Sequence, residues 1–161
     1  MKRAVVITAS NRAATGVYED SSGALLVEGL AKLGYEVGPS TILPDDIEQI
    51  SHAISQGISS GVDLIVTTGG TGVSPMDVTP EATAPLIKKV IPGFAEALRA
   101  YGRLKVVTSD LSRGLVGLNG KTLIINLPGS PGGVKDGLIV IGQLASHIHD
   151  QVEGHDHSPS N

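Results

Sequence analysis

The chain has 161 residues, a formal net charge of −4 from 12 basic and 16 acidic residues, 2% aromatic residues and no cysteine. These values indicate one domain with an aliphatic core, and they exclude disulfides and thiolate chemistry. Neither a basic stripe nor an aromatic platform is present, which argues against nucleic-acid binding. No apolar stretch is long enough for a signal peptide or a membrane span, so we expect a cytoplasmic protein.

The first third of the chain alternates between strand and helix patterns. Residues 4–8 form a continuous apolar run typical of a strand that is buried on both faces. A turn containing Ser10 follows it, at the end of the strand where open α/β sheets bind ligands. Residues 22–33 carry leucines at helical spacing, and residues 35–43 are predicted to form a second strand that Gly38 and Pro39 interrupt.

Two consecutive aspartates, Asp45 and Asp46, precede a predicted helix with isoleucines at positions 47, 50, 54 and 58. One of them is expected to cap this helix, and both could have only that role. The alternative is a metal site, because Asp77 lies at an equivalent strand-to-helix junction further along the chain. Such junctions lie at the same edge of a parallel sheet, where two carboxylates could share a divalent cation.

The central stretch of the chain is a glycine-rich loop between a strand and a helix. A buried strand is predicted at 64–66, a loop with three glycines at 67–78, and a helix from Thr79, its expected N-cap, to about residue 90. Glycines let backbone N–H groups approach an anion closely, although a tight turn can require glycine for steric reasons alone. The length of the loop and its carboxylate, Asp77, favour an anion site for a nucleotide or another phosphorylated ligand.

The C-terminal half continues the alternation of strands and helices, so the predicted fold class is α/β, with one doubly wound, mostly parallel sheet and helices on both faces. The domain is predicted to end at residue 152, before a polar, disordered tail at 153–161 that contains His155 and His157. The predicted segments are a helix at 94–101, a strand at 104–108, a loop at 109–120, a strand at 122–126, a glycine-rich loop at 127–133 and a helix at 134–152.

One apparent nucleotide motif fails on inspection. Gly120-Lys121-Thr122 resembles the end of a P-loop, but Leu115 occupies the position of the first glycine and a strand follows instead of a helix. A basic turn that leads into a strand is the better interpretation. No GxGxxG motif follows the first strand, so a Rossmann dinucleotide site is not supported.

Two motifs together resemble a known family. Thr67-Thr68-Gly69-Gly70-Thr71-Gly72, followed by Asp77-Val78-Thr79-Pro80-Glu81-Ala82, resembles the signature of the MogA/MoaB family, and Leu127-Pro128-Gly129-Ser130-Pro131-Gly132 is similar to its second motif. The turns at 10–12 and 43–45 fit as well. The resemblance covers residues 3 to about 152, and it implies a molybdopterin-binding α/β fold that assembles as a homotrimer.

The resemblance also implies an activity, which is the Mg²⁺-dependent transfer of AMP from ATP to the terminal phosphate of molybdopterin with release of pyrophosphate. A molybdenum-insertion protein is the implied protein partner. Asp45 and Asp77 correspond to the catalytic aspartates and would hold Mg²⁺. The other implied contacts are Thr68, Gly69, Gly70, Thr71, Gly72 and Ser74 for the nucleotide, and Ser10, Ser112, Arg113, Pro128, Gly129, Ser130 and Gly132 for molybdopterin.

The chain departs from the family pattern at two positions. Asn11 stands where family members often have aspartate, and Met76 stands where they often have arginine. Methionine cannot replace a guanidinium in contact with phosphate. Two rival hypotheses therefore stay open: a protein that binds or carries molybdopterin without catalysis, and an unrelated phosphate-binding enzyme such as a small nucleotidase.

Overall fold

A computed structural model describes residues 1–155 as one seven-stranded sheet with helices packed against it. The strands are β1 (Arg3–Ala9), β2 (Glu36–Val37), β3 (Thr41–Leu43), β4 (Leu64–Thr68), β5 (Lys89–Val90), β6 (Val116–Asn119) and β7 (Thr122–Leu127). The helices are α1 (Asn11–Ala14), α2 (Ser21–Lys32), α3 (Ile47–Ser59), α4 (Thr79–Thr83), α5 (Pro92–Arg103) and α6 (Pro131–Val152), with short 3₁₀ segments at Ala84–Leu86 and Val107–Leu111.

The sheet is mostly parallel, as predicted. Its strand order is β2-β1-β4-β7-β6-β5, and β3 also pairs with β1. The pairs that β1, β2, β3, β4 and β7 form with one another are parallel, whereas β6 runs antiparallel to both β7 and β5. The central strands β4 and β7 are therefore neighbours, and the loops that follow them leave the same edge of the sheet.

Helices cover both faces of this sheet, which confirms the predicted fold class. Successive strand residues alternate between the two cores: Leu64 and Val66 pack with α2, α5 and α6, while Ile65 packs with α3 and α4. Both cores consist mainly of Val, Ile, Leu and Ala. Because each central strand is buried on both sides, its sequence is a continuous apolar run without the alternation of a half-exposed strand.

Two predicted elements in the first half of the chain differ from the structure. The strand predicted at 35–43 is two short strands, because Pro39 has no N–H for a ladder hydrogen bond. The helix predicted to run from 79 to about 90 ends as an α-helix at Thr83. Pro85 cannot donate an i→i−4 hydrogen bond, so a 3₁₀ turn and then β5 follow instead.

Two predictions in the second half were also wrong. The strand predicted at 104–108 is a turn followed by a 3₁₀ segment, and its apolar side chain Leu104 is exposed. The chain folds back there because Gly102 leaves room for Ser109, whose Oγ would lie 2.6 Å from a Cβ at position 102. The loop predicted at 109–120 contains strand β6. Gly117 hides this strand in the sequence, although its missing side chain is what lets β5 lie alongside.

The last helix begins earlier than predicted, at Pro131, with Ser130 as its N-cap. It ends at Val152, as predicted, and Glu153 provides the C-cap and forms an ion pair with Lys2. Of the predicted tail, Gly154 and His155 donate backbone hydrogen bonds to the last turn of the helix, and residues 156–161, which include His157, lie outside the described residues. Among helices in the described range, none has both the length and the apolar character required to cross a membrane.

Candidate functional site

The two glycine-rich loops meet at the end of strands β4 and β7. The backbone N–H of Gly69 donates to the Leu127 carbonyl over 3.0 Å, and the Thr68 hydroxyl donates to the Pro128 carbonyl over 2.8 Å. A Cβ on Gly129 would lie 3.2 Å from the Gly69 Cα. The loops therefore touch backbone to backbone, which explains why glycine occupies both positions.

Two glycines of the first loop have conformations that side chains rarely adopt. Gly69 has φ +97° and Gly70 has φ +68°. A Cβ on Gly69 would strike the carbonyl oxygen of Ala9, and a Cβ on Gly70 would strike the Thr79 hydroxyl. These two glycines are therefore required for steric reasons, and this requirement does not conflict with a role of the loop backbone in binding a ligand.

Asp45 and Asp46 have different roles in the structure. The Asp46 side chain caps α3 by accepting a hydrogen bond from the Gln49 N–H, which leaves Asp45 available for another function. Asp45 is held by Asn11: the Asn11 N–H donates to Asp45 Oδ2 over 3.2 Å, and the Asp45 N–H donates to Asn11 Oδ1 over 2.8 Å. The second oxygen, Asp45 Oδ1, is buried without a hydrogen-bond partner among residues 1–155.

Burial raises the pKa of the Asp45 carboxyl, and the negative charge of Asp77 raises it further, while the hydrogen bond from Asn11 acts in the opposite direction. A carboxylate in this position is therefore costly to ionise unless a positive charge approaches it. A buried carboxylate oxygen without a hydrogen-bond partner, on a carboxyl with a raised pKa, is typical of a carboxylate that binds a cation.

Asp77 lies against the same three-residue segment of the first loop as Asp45. Its Oδ2 accepts a hydrogen bond from the Ser74 N–H over 3.0 Å, and it would lie 2.8 Å from a Cβ on Gly72. Asp45 Oδ1 would lie 3.3 Å from a Cβ on Gly70. The fold thus brings together the two carboxylates that the sequence placed at equivalent junctions, 32 positions apart.

Thr79 does not cap its helix, contrary to the prediction. The N-cap of α4 is Val78, and no side chain makes a capping hydrogen bond there. The Thr79 side chain is fully buried, and its hydroxyl has no partner within the described range. Together with Asp45 Oδ1 it forms a pair of unsatisfied polar atoms beside Gly70, on the inner side of the loop.

Arg113 fixes the shape of the first loop. Its Nε donates to the Gly72 carbonyl over 2.8 Å, its Nη2 donates to the Asp77 carbonyl over 3.0 Å, and its Nη1 pairs with Glu81. The Arg113 N–H also donates to the Thr71 carbonyl. The structure therefore places this guanidinium against the loop backbone, where it orients the residues that flank Asp77.

A cavity of about 510 Å³ lies between the two loops, α5 and the start of α6. This volume is within the usual range for small-molecule sites. Apolar side chains of α5 and β7 form part of its wall, and Arg99, Lys105 and Asp136 contribute charge. Nine residues predicted from the sequence to bind ligands line it, namely Gly70, Thr71, Gly72, Asp77, Ser112, Pro128, Gly129, Ser130 and Gly132.

A second, smaller cavity of about 280 Å³ lies on the other side of the second loop. Ser10 and Thr68 line it, and Gly129 lines both cavities. Gly129 is held from this side by the Ser22 hydroxyl, which donates to its carbonyl over 2.8 Å. Four other predicted residues, Asp45, Gly69, Ser74 and Arg113, are among the lining residues of neither cavity and support or border the first loop.

Sequence reasoning missed several polar residues of the site. Asn126 is buried in β7, where it donates to the hydroxyls of Thr67 and Thr83 and accepts from the Leu115 N–H. A polar residue at the end of an apolar run was a usable signal for it. Lys105 and Asp136 gave no such signal. Each is an isolated charged residue in the sequence, and only the tertiary structure shows that both line the cavity.

The residues present fit a hard cation but do not form a complete cage for one. Asp45 and Asp77 supply carboxylate oxygens, which suit Mg²⁺. Within residues 1–155 no group of three or more His, Asp or Glu side chains lies close enough to hold a metal by itself. Mg²⁺ commonly binds through one or two carboxylates together with substrate phosphates and waters, so a two-carboxylate site agrees with that pattern.

An open, mostly parallel sheet with two glycine loops and a cavity at the edge where its central strands end defines a class of α/β ligand-binding domains. A family described as "Probable molybdopterin binding domain" matches residues 5–147. The chain therefore belongs to this family, the MogA/MoaB family of molybdenum cofactor biosynthesis proteins.

Individual relatives agree with this assignment. A molybdopterin adenylyltransferase of Helicobacter pylori is 38% identical over 154 residues, which cover 92% of this chain and 86% of the relative. A structure of a molybdopterin biosynthesis Mog protein from Mycobacterium ulcerans superposes with a TM-score of 0.89 at 46% identity, covering 94% of this chain and 99% of that one. A bifunctional molybdenum cofactor biosynthesis protein of Chlorobaculum tepidum is 36% identical over 156 residues. The match covers 97% of this chain but only 50% of the length of that relative.

Proposed function

We propose that this protein is a molybdopterin adenylyltransferase, which transfers AMP from ATP to the terminal phosphate of molybdopterin and releases pyrophosphate in an Mg²⁺-dependent reaction. The observation that carries the proposal is the meeting of two glycine loops at Gly69 and Gly129, with a cavity on either side and two carboxylates beside the first loop. A reaction that joins two phosphorylated substrates needs adjoining sites, which the first loop and the larger cavity beside it would provide. The name of the relative from Helicobacter pylori supports the same activity.

The chain's own residues would act mainly by positioning. The larger cavity would take the pterin, and the nucleotide phosphates would lie against the Gly70–Gly72 backbone at its edge, where N–H groups can donate to anionic oxygens. Arg113 keeps that backbone in shape through the Gly72 and Asp77 carbonyls. Alignment of two bound reactants provides much of the rate in phosphoryl and nucleotidyl transfer, without a covalent enzyme intermediate.

Asp45 and Asp77 would hold the Mg²⁺. When bound, the ion would neutralise negative charge that develops on the pyrophosphate leaving group. The unpartnered Asp45 Oδ1 and the raised pKa of the Asp45 carboxyl support this role, since an approaching cation favours the ionised form of the carboxyl. Asn11 would keep the carboxylate oriented through its two hydrogen bonds.

A carrier or binding protein without catalysis is the second candidate. Met76 favours it, because this side chain is 55% exposed on the first loop and offers no hydrogen-bond donor to a phosphate. The presence of both aspartates, and the hydrogen bonds that hold the loop around them, favour the adenylyltransferase instead. The homotrimer, the molybdenum-insertion partner and the cytoplasmic location are further proposals that rest on the resemblance to the family.

A turnover assay tests the proposal. The full chain is incubated with ATP, Mg²⁺ and molybdopterin, and adenylylated molybdopterin and pyrophosphate are measured. The proposal expects both products in equal amounts, and neither when molybdopterin is omitted. Binding of molybdopterin without product would favour the carrier, and release of phosphate from ATP alone would favour the nucleotidase.

A further inference from the structure

One buried carboxylate in the larger cavity has no part in the reaction outlined above. Asp136 lies in the second turn of α6, is 8% exposed and faces the cavity. Its hydrogen-bond partner within residues 1–155 is Lys105, whose Nζ lies 2.6 Å from Asp136 Oδ1. Lys105 also lines the cavity, at the turn that follows α5. The ion pair therefore connects two sides of the cavity.

The two partners of this ion pair differ in their freedom to move. The side chain of Lys105 is 61% exposed, and it can exchange its contact with Asp136 for water. The side chain of Asp136 is only 11% exposed and is anchored in a long helix. A buried carboxylate requires hydrogen-bond donors, so any ligand that displaces Lys105 must bring donors of its own.

The chemistry of a carboxylate selects among ring systems that could enter the cavity. Two parallel acceptor oxygens match two adjacent N–H donors, as in a bidentate guanidinium pair. The 2-amino-4-oxopyrimidine edge of a pterin presents such donors at N3 and at the exocyclic amino group. Adenine presents one amino group flanked by ring nitrogens that are acceptors, which would face the second carboxylate oxygen unfavourably.

We propose that Asp136 recognises the amino-bearing pyrimidine edge of a pterin. In the absence of the pterin, Lys105 forms an ion pair with this carboxylate, and the bound pterin replaces Lys105. The apolar side chains of Leu98, Leu111 and Leu127 line the same cavity and provide surfaces for a flat ring. The inference rests on the proposed function, because it assumes that the substrate contains a pterin. It adds the specificity-determining residue, which no sequence motif indicates.

The test compares two ligands that differ only at this edge. The probes are 6-hydroxymethylpterin and the matching 6-hydroxymethyl lumazine, in which a 2-oxo group replaces the 2-amino group, and each is titrated into the full chain by fluorescence or calorimetry. The native chain is expected to prefer the pterin by roughly tenfold or more, because the lumazine presents an acceptor to Asp136. Asp136→Asn should reverse the preference, since an amide offers one acceptor and one donor and so matches the lumazine edge.

Two further variants separate recognition from a structural role of the ion pair. Lys105→Met breaks the pair but leaves the carboxylate, so the preference for the pterin should persist. Asp136→Glu keeps a carboxylate and should also retain the preference, which keeps the test valid if Asp136→Asn does not fold. Equal effects of Lys105→Met and Asp136→Asn, or no preference in the native chain, would overturn the inference.

The failure of this inference can be distinguished from failure of the proposed function. Normal turnover of molybdopterin with no preference between the two probes would remove Asp136 as the recognition residue and leave the adenylyltransferase proposal intact. An Asp136-dependent preference for pterin without any turnover would support the recognition and favour the carrier function.

Discussion

Asn11 and Asp45 hold each other through a reciprocal pair of hydrogen bonds, in which each backbone N–H donates to a side-chain oxygen of the other residue. The contact joins the start of α1, which follows β1, to the turn after β3. It makes the orientation of a candidate catalytic carboxylate depend on the residue that departs from the family pattern. An asparagine oxygen accepts from the Asp45 N–H without adding a second negative charge beside Asp45.

This relationship predicts different outcomes for two substitutions of Asn11. Asn11→Ala removes the acceptor for the Asp45 N–H and should lower the free energy of unfolding by about 1 kcal/mol. Asn11→Asp restores an acceptor oxygen but adds a negative charge beside Asp45, so it should recover only part of that loss. Chemical denaturation measures both values, and equal losses in the two variants would contradict the role assigned to the Asn11 side chain.

Asp77→Asn should abolish adenylyl transfer while the protein stays folded. The structure places this carboxylate against Gly72, with its Oδ2 accepting from the Ser74 N–H, a bond that an asparagine oxygen can replace. Loss of one charged group in an active site typically reduces turnover by about 10²–10³-fold. Turnover and the thermal midpoint are measured together, with Glu48→Gln, an exposed residue of α3, as the matched control. Native turnover in folded Asp77→Asn would remove the magnesium assignment.

Gly72→Ala should disturb the site through Asp77. Gly72 does not have the left-handed conformation of Gly69 and Gly70, but a Cβ there would lie only 2.8 Å from Asp77 Oδ2. The carboxylate must therefore move, and we expect a loss of turnover of roughly tenfold or more with little loss of stability. Gly93→Ala is the control, because a Cβ at position 93 meets no atom within 4 Å. Parallel losses of turnover and stability in Gly72→Ala would indicate a purely structural glycine.

The contrast between Gly70 and Gly72 shows where sequence reasoning reaches its limit. The GGTG motif predicted a tight loop beside an anion site, and the juxtaposition of Asp45 with Asp77 followed from the parallel-sheet rule. Which glycine is required by its backbone and which by a neighbouring carboxylate depends on φ angles and distances that the spacing of residues does not encode.

The errors in the fold have a similar origin. Apolar β-branched runs identified the central strands because these are buried on both faces. Strand β6 was missed because Gly117, which interrupts its pattern, is required by a tertiary contact with β5. The Lys105–Asp136 pair lay beyond prediction because it joins two elements 31 positions apart, and Lys105 occupies a segment that was predicted to be a strand.

The buried pair of Tyr35 and His149 predicts how stability depends on pH. The Tyr35 hydroxyl lies 2.8 Å from His149 Nε2. Burial and then the positive charge of Lys2 lower the pKa of His149, against smaller opposing contributions from Asp63, Glu153 and Asp150. Burial raises the pKa of Tyr35 to about 12, so this hydroxyl stays neutral throughout the acidic range.

A lowered pKa in the folded state means that the unfolded chain binds a proton more readily at His149. Its contribution to stability is therefore complete above the unfolded pKa of about 6.5 and is lost as the pH falls through the lower, folded value. His149→Gln should flatten this acidic decline in the free energy of unfolding. His52→Gln is the control, because His52 is exposed, and an unchanged decline in His149→Gln would contradict the assignment.

Met76→Arg should tighten the binding of ATP. Met76 lies on the first loop next to Asp77, its N–H donates to the Ser74 hydroxyl, and its side chain is 55% exposed, so a longer side chain can be accommodated there. A guanidinium beside the nucleotide phosphates would add charge-assisted hydrogen bonds, for which a gain of about 1–2 kcal/mol is reasonable. Calorimetric titration with ATP and Mg²⁺ at two salt concentrations measures this gain, which should be larger at low salt because it is electrostatic.

Val73→Arg is the matched control for Met76→Arg. Val73 belongs to the same loop and is 69% exposed, so the substitution adds the same charge at a nearby position. A specific phosphate contact predicts that only Met76→Arg improves affinity at high salt, where the general attraction of an added charge is screened. Equal gains from both variants would mean that net charge alone improves binding. No gain from Met76→Arg at either salt concentration would place position 76 away from the phosphates, and the methionine would then no longer favour the carrier over the adenylyltransferase.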